Sequence, residues 1–276
     1  MNSLYFFDFI ENLREQKKSK NTILCYSSDV KDFISTSRII SADNIKQTHL
    51  DNYKVFLENR KIVPKTIARK LRSVISYINF LKGQGKLENV TVSKIDVPKA
   101  ISSDKNFITK AEFEKILNKS RENKKIYTAL AILYYTGILL SELTNLKNID
   151  FDFDLRFLII GTRKVPLSDR VYFIAKDFIL ESKSEKKEFY LFRTAHGTKI
   201  IDRNMRTYLS RAIKNAGVSA TVNDIRNSFI INQLKAGNSV KFVSKVAGHS
   251  STQSTKKYLK YVKNYEDKGI NRIIEI

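Results

Sequence analysis

Hydrophobic periodicity divides the first hundred residues into four helical segments. Apolar side chains recur every three or four residues in "SLYFFDFIENLRE", "NTILCYSSDVKDFI", "NIKQTHLDNYKVFLENR" and "PKTIARKLRSVISYINFLK". Gly83 and Gly85 follow the fourth segment and are typical of a helix end. Four amphipathic helices in succession predict a small helical bundle.

The fourth segment has two chemically distinct faces. At 100° per residue its apolar side chains share one side and a set of cations shares the other. The apolar face consists of Ile67, Leu71, Val74, Ile78 and Leu81, and the basic face consists of Lys65, Arg69 and Arg72. We predict that the basic stripe contacts a phosphate backbone, although an ordinary solvated helix face has the same pattern.

Periodicity lapses after this bundle and then returns, which indicates two domains. We predict an amino-terminal domain at 1–97, a linker at 98–105 and a second domain at 106–276. Thr109 is a candidate N-cap with Glu112 at the third helical position, as expected where a new helix begins.

The second domain is predicted to be mostly helical with one small antiparallel β-sheet. "KAEFEKILNKS", "KIYTALAILYYTG" and "LSELTNLKNID" continue the helical pattern. "FDFDLRFLIIGTRKVPLS" is instead rich in Phe, Ile, Leu and Val and has a Gly161-Thr162 turn signal, so it predicts a hairpin or three-stranded sheet. Helices follow, apart from a possible short strand at "FYLFR". The fold class is therefore mainly α.

Charge points to a polyanionic partner. The chain carries 50 Lys and Arg against 28 Asp and Glu, a formal net charge of +22, and both halves are basic, as a two-part clamp on nucleic acid would be. Abundant lysine from an AT-rich genome or a need for solubility would give the same excess.

Other function classes lose support from what the sequence lacks. Three histidines and one cysteine offer no metal cluster, and no glycine-rich phosphate-binding loop is present, so we expect neither a metal nor another cofactor. Cys25 cannot form an intramolecular disulfide, and no apolar run approaches the roughly 18 residues of a membrane span. The amino terminus lacks a basic region and cleavage site of a signal peptide, so we expect a cytoplasmic protein.

Three segments of the second domain carry the residue types for metal-free cleavage of a phosphodiester. In that chemistry a tyrosine hydroxyl attacks phosphorus while cationic groups bind the developing negative charge. The segments are "TGILLSELTNLKNIDF" at 136–151, "NDIRNSF" at 223–229 and "AGHSSTQSTKKY" at 247–258. Their order and spacing resemble the tyrosine recombinases, which include Xer proteins and phage integrases. The resemblance covers nearly the whole chain, because the family also has a basic four-helix core-binding domain.

The resemblance implies a role for individual residues. Tyr258, nine residues after His249, occupies the position of the nucleophile, while Arg226 and His249 occupy the phosphate-binding positions. A lysine of the small hairpin serves the family as general acid for the leaving 5′ oxygen, and Lys164 is the candidate. Arg163 beside it is a predicted DNA contact.

Each of these residues also has a structural alternative. Arg226 could cap a helix or pair with Asp224, His249 could be a satisfied partly buried histidine, and Tyr258 could simply pack in an amphipathic face. Two further tyrosines follow the candidate nucleophile: Tyr261 and Tyr265.

The sequence departs from the family pattern at two positions. The first block resembles T-G-x-R-x-S-E-L, but Leu139 stands at its arginine; the second resembles H-D-L-R-H-T-F, but Asn223 stands at its leading histidine. Leucine has no hydrogen-bond donor, whereas asparagine still donates through its amide. Either the chain is an inactivated or engineered variant, or another cation such as Arg163 or Arg156 enters the phosphate site.

These observations favour a site-specific recombinase that cuts and rejoins double-stranded DNA through a 3′-phosphotyrosyl intermediate. Cleavage of two duplexes implies four protomers, either a homotetramer or a mixed assembly with a paralogous recombinase. The apolar end from Ile270 to Ile276 could dock on a neighbour or pack on its own domain. The alternative function is a DNA-binding accessory protein that keeps the fold but has lost cutting, and a type IB topoisomerase is a weaker third possibility.

Overall fold

The computed structural model describes residues 4–87, 106–181, 189–270 and 272–274. The chain divides into two compact units, Met1–Ser103 and Asp104–Ile276. The linker predicted at 98–105 lies outside the described residues, so the bounds 1–97 and 106–276 remain predictions.

The first unit contains the four predicted helices, and its mainly α character is confirmed. They are α1 (Phe6–Glu15), α2 (Lys20–Thr36), α3 (Gln47–Asn59) and α4 (Pro64–Gly83). The Ser19 side chain caps α2 by accepting a hydrogen bond from the Thr22 amide at 3.1 Å. Pro64 begins α4, where its missing N–H costs nothing because the first amides of a helix have no intrahelical acceptor.

Helix α4 presents the two faces expected from its sequence. All five residues of the predicted apolar face are at most 3 % exposed and belong to the core of this unit. The three cations of the basic face, Lys65, Arg69 and Arg72, are solvent-exposed.

One cation of the basic face also has a partner inside the unit. Asp29 of α2 is only 2 % exposed, and both oxygens of its carboxylate accept hydrogen bonds from Arg69. Ser73 donates to the same carboxylate at 2.8 Å, and Lys70 lies 3.5 Å from it. A buried charge requires such pairing, so this cluster ties α2 to α4.

The second unit is built around the strongly buried helix α6. Its helices are α5 (Lys110–Lys119), α6 (Lys124–Thr136), α7 (Leu140–Asn145), α8 (Asp169–Glu181), α9 (Asp202–Asn215), α10 (Val222–Lys235), α11 (Val240–Ala247) and α12 (Thr252–Lys256). The predicted capping box of α5 is confirmed: Glu112 N–H donates to Thr109 Oγ1 at 3.2 Å, and Thr109 N–H donates to the Glu112 carboxylate at 2.8 Å.

A three-stranded antiparallel sheet separates α7 from α8. Its strands β1 (Phe151–Asp152), β2 (Phe157–Ile160) and β3 (Arg163–Pro166) lie in the order β1-β2-β3. Gly161 forms the predicted turn with a φ of 58°. The segment "FYLFR" forms isolated bridges instead of a strand: Tyr190 pairs with Lys147 and Arg193 with Lys199. Because its two bridges reach different partners, no ladder extends along it.

The carboxy-terminal segment packs on its own unit. Gln233 of α10 donates to the Ile274 carbonyl at 2.7 Å and accepts from the Ile274 amide at 3.0 Å. Ile273 packs against the core, and Ile270 bridges to Asn238. Of the predicted apolar end, residues 271, 275 and 276 lie outside the described residues.

Candidate active site

The turn at Gly137 binds Arg226, the candidate phosphate-binding arginine. Helix α6 ends at Thr136, and Gly137 adopts a left-handed conformation with a φ of 62°. A Cβ atom at this position would lie 2.1 Å from the Phe229 ring, so only glycine fits. The Gly137 carbonyl accepts a hydrogen bond from Arg226 Nη1, which joins the first and second sequence blocks.

A second carbonyl fixes the other end of this guanidinium. Arg226 Nη2 donates to the Ala247 carbonyl at 2.7 Å, at the end of α11. Burial lowers the pKa of Arg226, while the negative charge of Glu142 raises it. Asp224 does not pair with this arginine in the structure; it accepts hydrogen bonds from the Thr221 amide and hydroxyl and caps α10. The guanidinium is thus held by main-chain atoms of two different turns.

Asn223 and Arg226 lie one helical turn apart on α10. Residues three apart on a helix share a face, so the Asn223 amide lies on the same side of α10 as the guanidinium. Asn223 is solvent-exposed. Its side chain is accessible to a ligand that reaches the exposed part of Arg226.

His249 directly follows the turn that binds Arg226. Its amide donates to the Ser244 carbonyl at 3.0 Å, and its Nδ1 lies 2.7 Å from Oγ1 of the buried Thr255. Gly248 precedes it with a φ of 72°. These contacts fix the imidazole ring by its Nδ1 edge and direct Nε2 to the opposite side of the ring.

Tyr258 lies next to this histidine in the short segment after α12. Its ring is nearly parallel to that of His249, with an interplanar angle of 17° and centroids 6.2 Å apart. The hydroxyl donates to Asn227 Oδ1 at 2.8 Å, and the residue is 4 % exposed. Burial raises the pKa of the phenol, and the Arg226 charge partly offsets this rise. The phenol is therefore neutral and hydrogen-bonded.

The two neighbouring tyrosines occupy different surroundings. Tyr261 packs edge-on against Phe107 with ring centroids 5.9 Å apart. The Tyr265 hydroxyl donates to the Asn238 carbonyl at 3.1 Å, and burial raises the pKa of this phenol. Of the three tyrosines, Tyr258 stacks on His249 and lies within electrostatic reach of Arg226.

Leu139 and Arg163 meet at one carboxylate. The Leu139 amide donates to Glu142 Oε2 at 2.8 Å, and Arg163 Nη2 donates to the same oxygen at 2.8 Å. The Leu139 side chain is 42 % exposed, whereas that of Arg163 is 14 % exposed. A Cβ atom on Gly248 would come within 1.8 Å of Arg163 Nη1. Arg163 therefore lies between the first block and the turn that carries His249.

The structure does not bring the other hairpin cations into this group. Lys164 follows Arg163 in β3, so its side chain projects from the opposite face of the sheet. It is exposed, and its Nζ lies 5.8 Å from the centroid of the Phe157 ring. Arg156 pairs with Asp169 at 2.5 Å.

Two residues of the site were not predicted from the sequence. Asn227 holds the Tyr258 hydroxyl and Glu142 holds Arg163. Both lie within the recognised blocks, one residue after Arg226 and three after Leu139, and that proximity was the signal available. Among the described residues no group of three metal-ligating side chains occurs, and none of their helices has the length and apolar content of a membrane span.

Two family models match separate parts of the chain. The family model described as "Phage integrase family" matches residues 106–264, and that described as "Phage integrase, N-terminal SAM-like domain" matches residues 7–85. A tyrosine recombinase of Pseudothermotoga lettingae is 26% identical over 98% of this chain and 97% of its own length. Tyrosine recombinase XerD of Listeria innocua is 25% identical over 91% of this chain and 92% of its own length.

Solved structures share the fold. The integrase of transposon Tn1549 in complex with transposon right end DNA has a TM-score of 0.76 at 20% identity, covering 93% of this chain and 94% of that one. A lambda integrase dimer bound to a COC′ core site has a TM-score of 0.71 at 16% identity, covering 98% and 97% of the two chains.

Proposed function

Since the chain belongs to the phage integrase family and is a tyrosine site-specific recombinase, a DNA breaking and rejoining enzyme, we propose that Tyr258 is its nucleophile. The observation that carries this proposal is the convergence of Tyr258, His249 and Arg226 around the turn at 247–249. The guanidinium comes from the second sequence block and the histidine and nucleophile come from the third, and the packing of α10, α11 and α12 brings the two blocks together.

The proposed reaction exchanges one phosphodiester for another. Tyr258 Oη forms a bond to the scissile phosphorus, the bond from phosphorus to the 5′ oxygen breaks, and a 3′-phosphotyrosyl link remains. The phenolic proton leaves Tyr258, and the departing 5′ oxygen takes up a proton. One ester replaces another, so religation to a partner strand needs no external energy source and the enzyme needs no cofactor.

Arg226 and His249 bind the phosphate in this proposal. A guanidinium held in place by two carbonyls needs no reorientation as negative charge develops on the phosphate oxygens. His249 Nε2 and the exposed Asn223 amide add hydrogen bonds to the same group. Lys164 remains the predicted general acid, and because it projects from the outer face of β3, that role requires the hairpin to rearrange on DNA.

The proposed partner is double-stranded DNA, bound through its phosphates. Lys65, Arg69 and Arg72 form an exposed basic row on α4, and the chain as a whole is strongly basic. Arg69 forms an ion pair with Asp29, so we expect Lys65 and Arg72 to make the stronger contacts with DNA phosphates. Phosphate contacts release counterions, so we expect affinity to fall steeply with salt.

We propose that four protomers assemble on two duplexes in the cytoplasm. Each duplex is cut on both strands during a complete exchange, and each protomer supplies one Tyr258. A homotetramer and a mixed assembly with a paralogous recombinase both satisfy this count. Light scattering of the purified chain with its DNA site distinguishes the two assemblies: a complex of four protomers supports the homotetramer, and failure to reach four protomers supports the mixed assembly.

Covalent trapping tests the function. The protein and its Tyr258→Phe variant are incubated with sheared DNA from the source organism and quenched in detergent, and fragments that stay attached to protein are sequenced. Adducts at a discrete site that Tyr258→Phe abolishes and Tyr261→Phe retains are the expected result. Site-selective, salt-sensitive binding with no adducts would instead support the non-cutting accessory protein.

A further inference from the structure

The first sequence block lacks a cation at the position nearest the phosphate site. Leu139 is the N-cap residue of α7, two residues after the Gly137 carbonyl that holds Arg226. Its side chain is exposed and apolar, so it contributes no charge or hydrogen bond to a bound phosphate. A phosphorane carries more negative charge than the phosphodiester from which it forms, and one guanidinium neutralises only part of it.

A second guanidinium lies beside this position. Arg163 Nη2 and the Leu139 amide lie close together because both donate a hydrogen bond to the same atom, Glu142 Oε2. Arg163 reaches there from β3, a different part of the chain, and its Nη1 lies against Gly248. Gly248 lies between Ala247, whose carbonyl binds Arg226, and His249. Arg163 therefore adjoins the turn that positions both Arg226 and His249.

The charges around Arg163 act on the same site. Its positive charge lowers the pKa of Arg226, and the carboxylate of Glu142 raises it, so both lie within electrostatic range of that guanidinium. Two neighbouring arginines repel each other, and Glu142 offsets this repulsion while orienting one of them. A phosphate would relieve the remaining repulsion by binding both.

Arg163 also retains capacity for a further acceptor. Glu142 engages Nη2, while the Nε–H is buried and has no acceptor among the described residues. Buried N–H groups of folded proteins are nearly always paired, so the Arg163 guanidinium has a hydrogen bond still to make. Arg156 differs in this respect: it lies on the surface, paired with Asp169.

We propose that Arg163, oriented by Glu142, supplies the transition-state guanidinium that Leu139 cannot supply. The inference rests on the proposed function and deepens it by naming a further catalytic residue. No bond forms or breaks at Arg163; it binds the non-bridging oxygens opposite Arg226 as charge develops on them.

The test compares two substrates in which the scissile group differs only in charge. Both are synthetic duplexes with the cleavage site mapped by Tyr258 adducts; one carries the ordinary phosphodiester and the other an uncharged methylphosphonate. We expect Arg163→Ala to slow adduct formation on the phosphodiester by about 10²–10³-fold, with a drop of less than about tenfold on the methylphosphonate, where there is less charge to neutralise. Adding Leu139→Arg to Arg163→Ala is expected to restore at least about tenfold of the lost rate.

Arg156→Ala is the matched control, since it also removes one hairpin arginine and one positive charge. We expect its rates to stay within about twofold of the parent on both substrates. Circular dichroism verifies folding, and Arg163→Gln replaces the alanine variant if that one unfolds.

Equal rates for the Arg163 and Arg156 variants would overturn the proposal. Equal losses on both substrates would also overturn it, because they indicate a structural role. A parent protein that forms no Tyr258-dependent adduct would refute the proposed function itself, and the role of Arg163 with it.

Discussion

Replacing Gly248 with alanine puts a methyl group where Arg163 now lies. The new Cβ would be 1.8 Å from Arg163 Nη1, so the guanidinium must move away from the turn. Arg163 is a long side chain and can move without disturbing the core. We therefore expect Gly248→Ala to keep the fold but to slow the chemistry by displacing Arg163.

The structure sets the size of both effects. Gly248 has a φ of 72°, and alanine in this region costs about 1–2 kcal/mol in the free energy of unfolding. Loss of the partly buried ion pair between Arg163 and Glu142 adds about 1 kcal/mol. If Arg163 stabilises the transition state, its displacement slows cleavage by about 10²-fold, which corresponds to about 2.7 kcal/mol in activation free energy.

Gly197 provides a control with the same backbone strain and no clash. Its φ is 76°, and a Cβ there would meet no atom within 4 Å. Urea denaturation measures the stability of both variants, and the rate of covalent adduct formation measures their chemistry. We expect Gly248→Ala to lose about 1 kcal/mol more stability than Gly197→Ala, because only Gly248→Ala breaks the ion pair, and we expect a large loss of rate in Gly248→Ala alone. Equal rates for the two variants would refute the assignment of Arg163 to the phosphate site.

Three further predictions concern single side chains. Asn227→Ala removes the acceptor of the buried Tyr258 hydroxyl and should lower the free energy of unfolding by about 1–2 kcal/mol in urea; an unchanged midpoint would contradict the hydrogen bond. Burial raises the pKa of Tyr258, so the folded state favours the neutral phenol. The stability gained in this way is complete below the unfolded-state pKa and is lost as pH rises above about 10. Tyr258→Phe should therefore reduce the fall in melting temperature at alkaline pH. Asp29→Ala removes the buried carboxylate that Arg69, Lys70 and Ser73 share. Because Arg69 is exposed and can turn to water, we expect a cost of about 1–2 kcal/mol by thermal unfolding, whereas alanine at the exposed Asp43 should cost less than about 0.5 kcal/mol.

Local physics made much of the fold predictable from the sequence. The apolar face of α4 follows from a 3.6-residue period, and the capping box of α5 follows from the hydrogen-bonding reach of Thr109 and Glu112. Both depend on residues close together in the chain. The segment "FYLFR" has strand composition but forms only bridges, because strand pairing depends on a partner that the segment itself does not specify.

The sequence indicated candidate members of the site, whose roles stay predictions, but it did not indicate their arrangement. Tyr258, His249 and Arg226 stood out by order and spacing, but nothing in their sequence indicated that Asn227 would accept the Tyr258 hydrogen bond. The hairpin shows the limit most clearly, because successive residues of a strand face opposite ways and the register decides which of them faces inward. Arg163 pairs with Ile160 next to the turn and faces Glu142, so its neighbour Lys164 faces away.

The two carbonyls that hold Arg226 make its position a property of the main chain. Any residue that allows the Ala247 turn offers the same oxygen atom, and the Gly137 oxygen depends on a backbone conformation that only glycine adopts beside Phe229. Substitution of surrounding side chains therefore leaves the guanidinium where it is. Cations at neighbouring positions, such as 139 and the hairpin, can therefore be exchanged in separate steps while the Arg226 guanidinium stays in place. Main-chain anchoring in this way lets the rest of an active site evolve without being rebuilt at once.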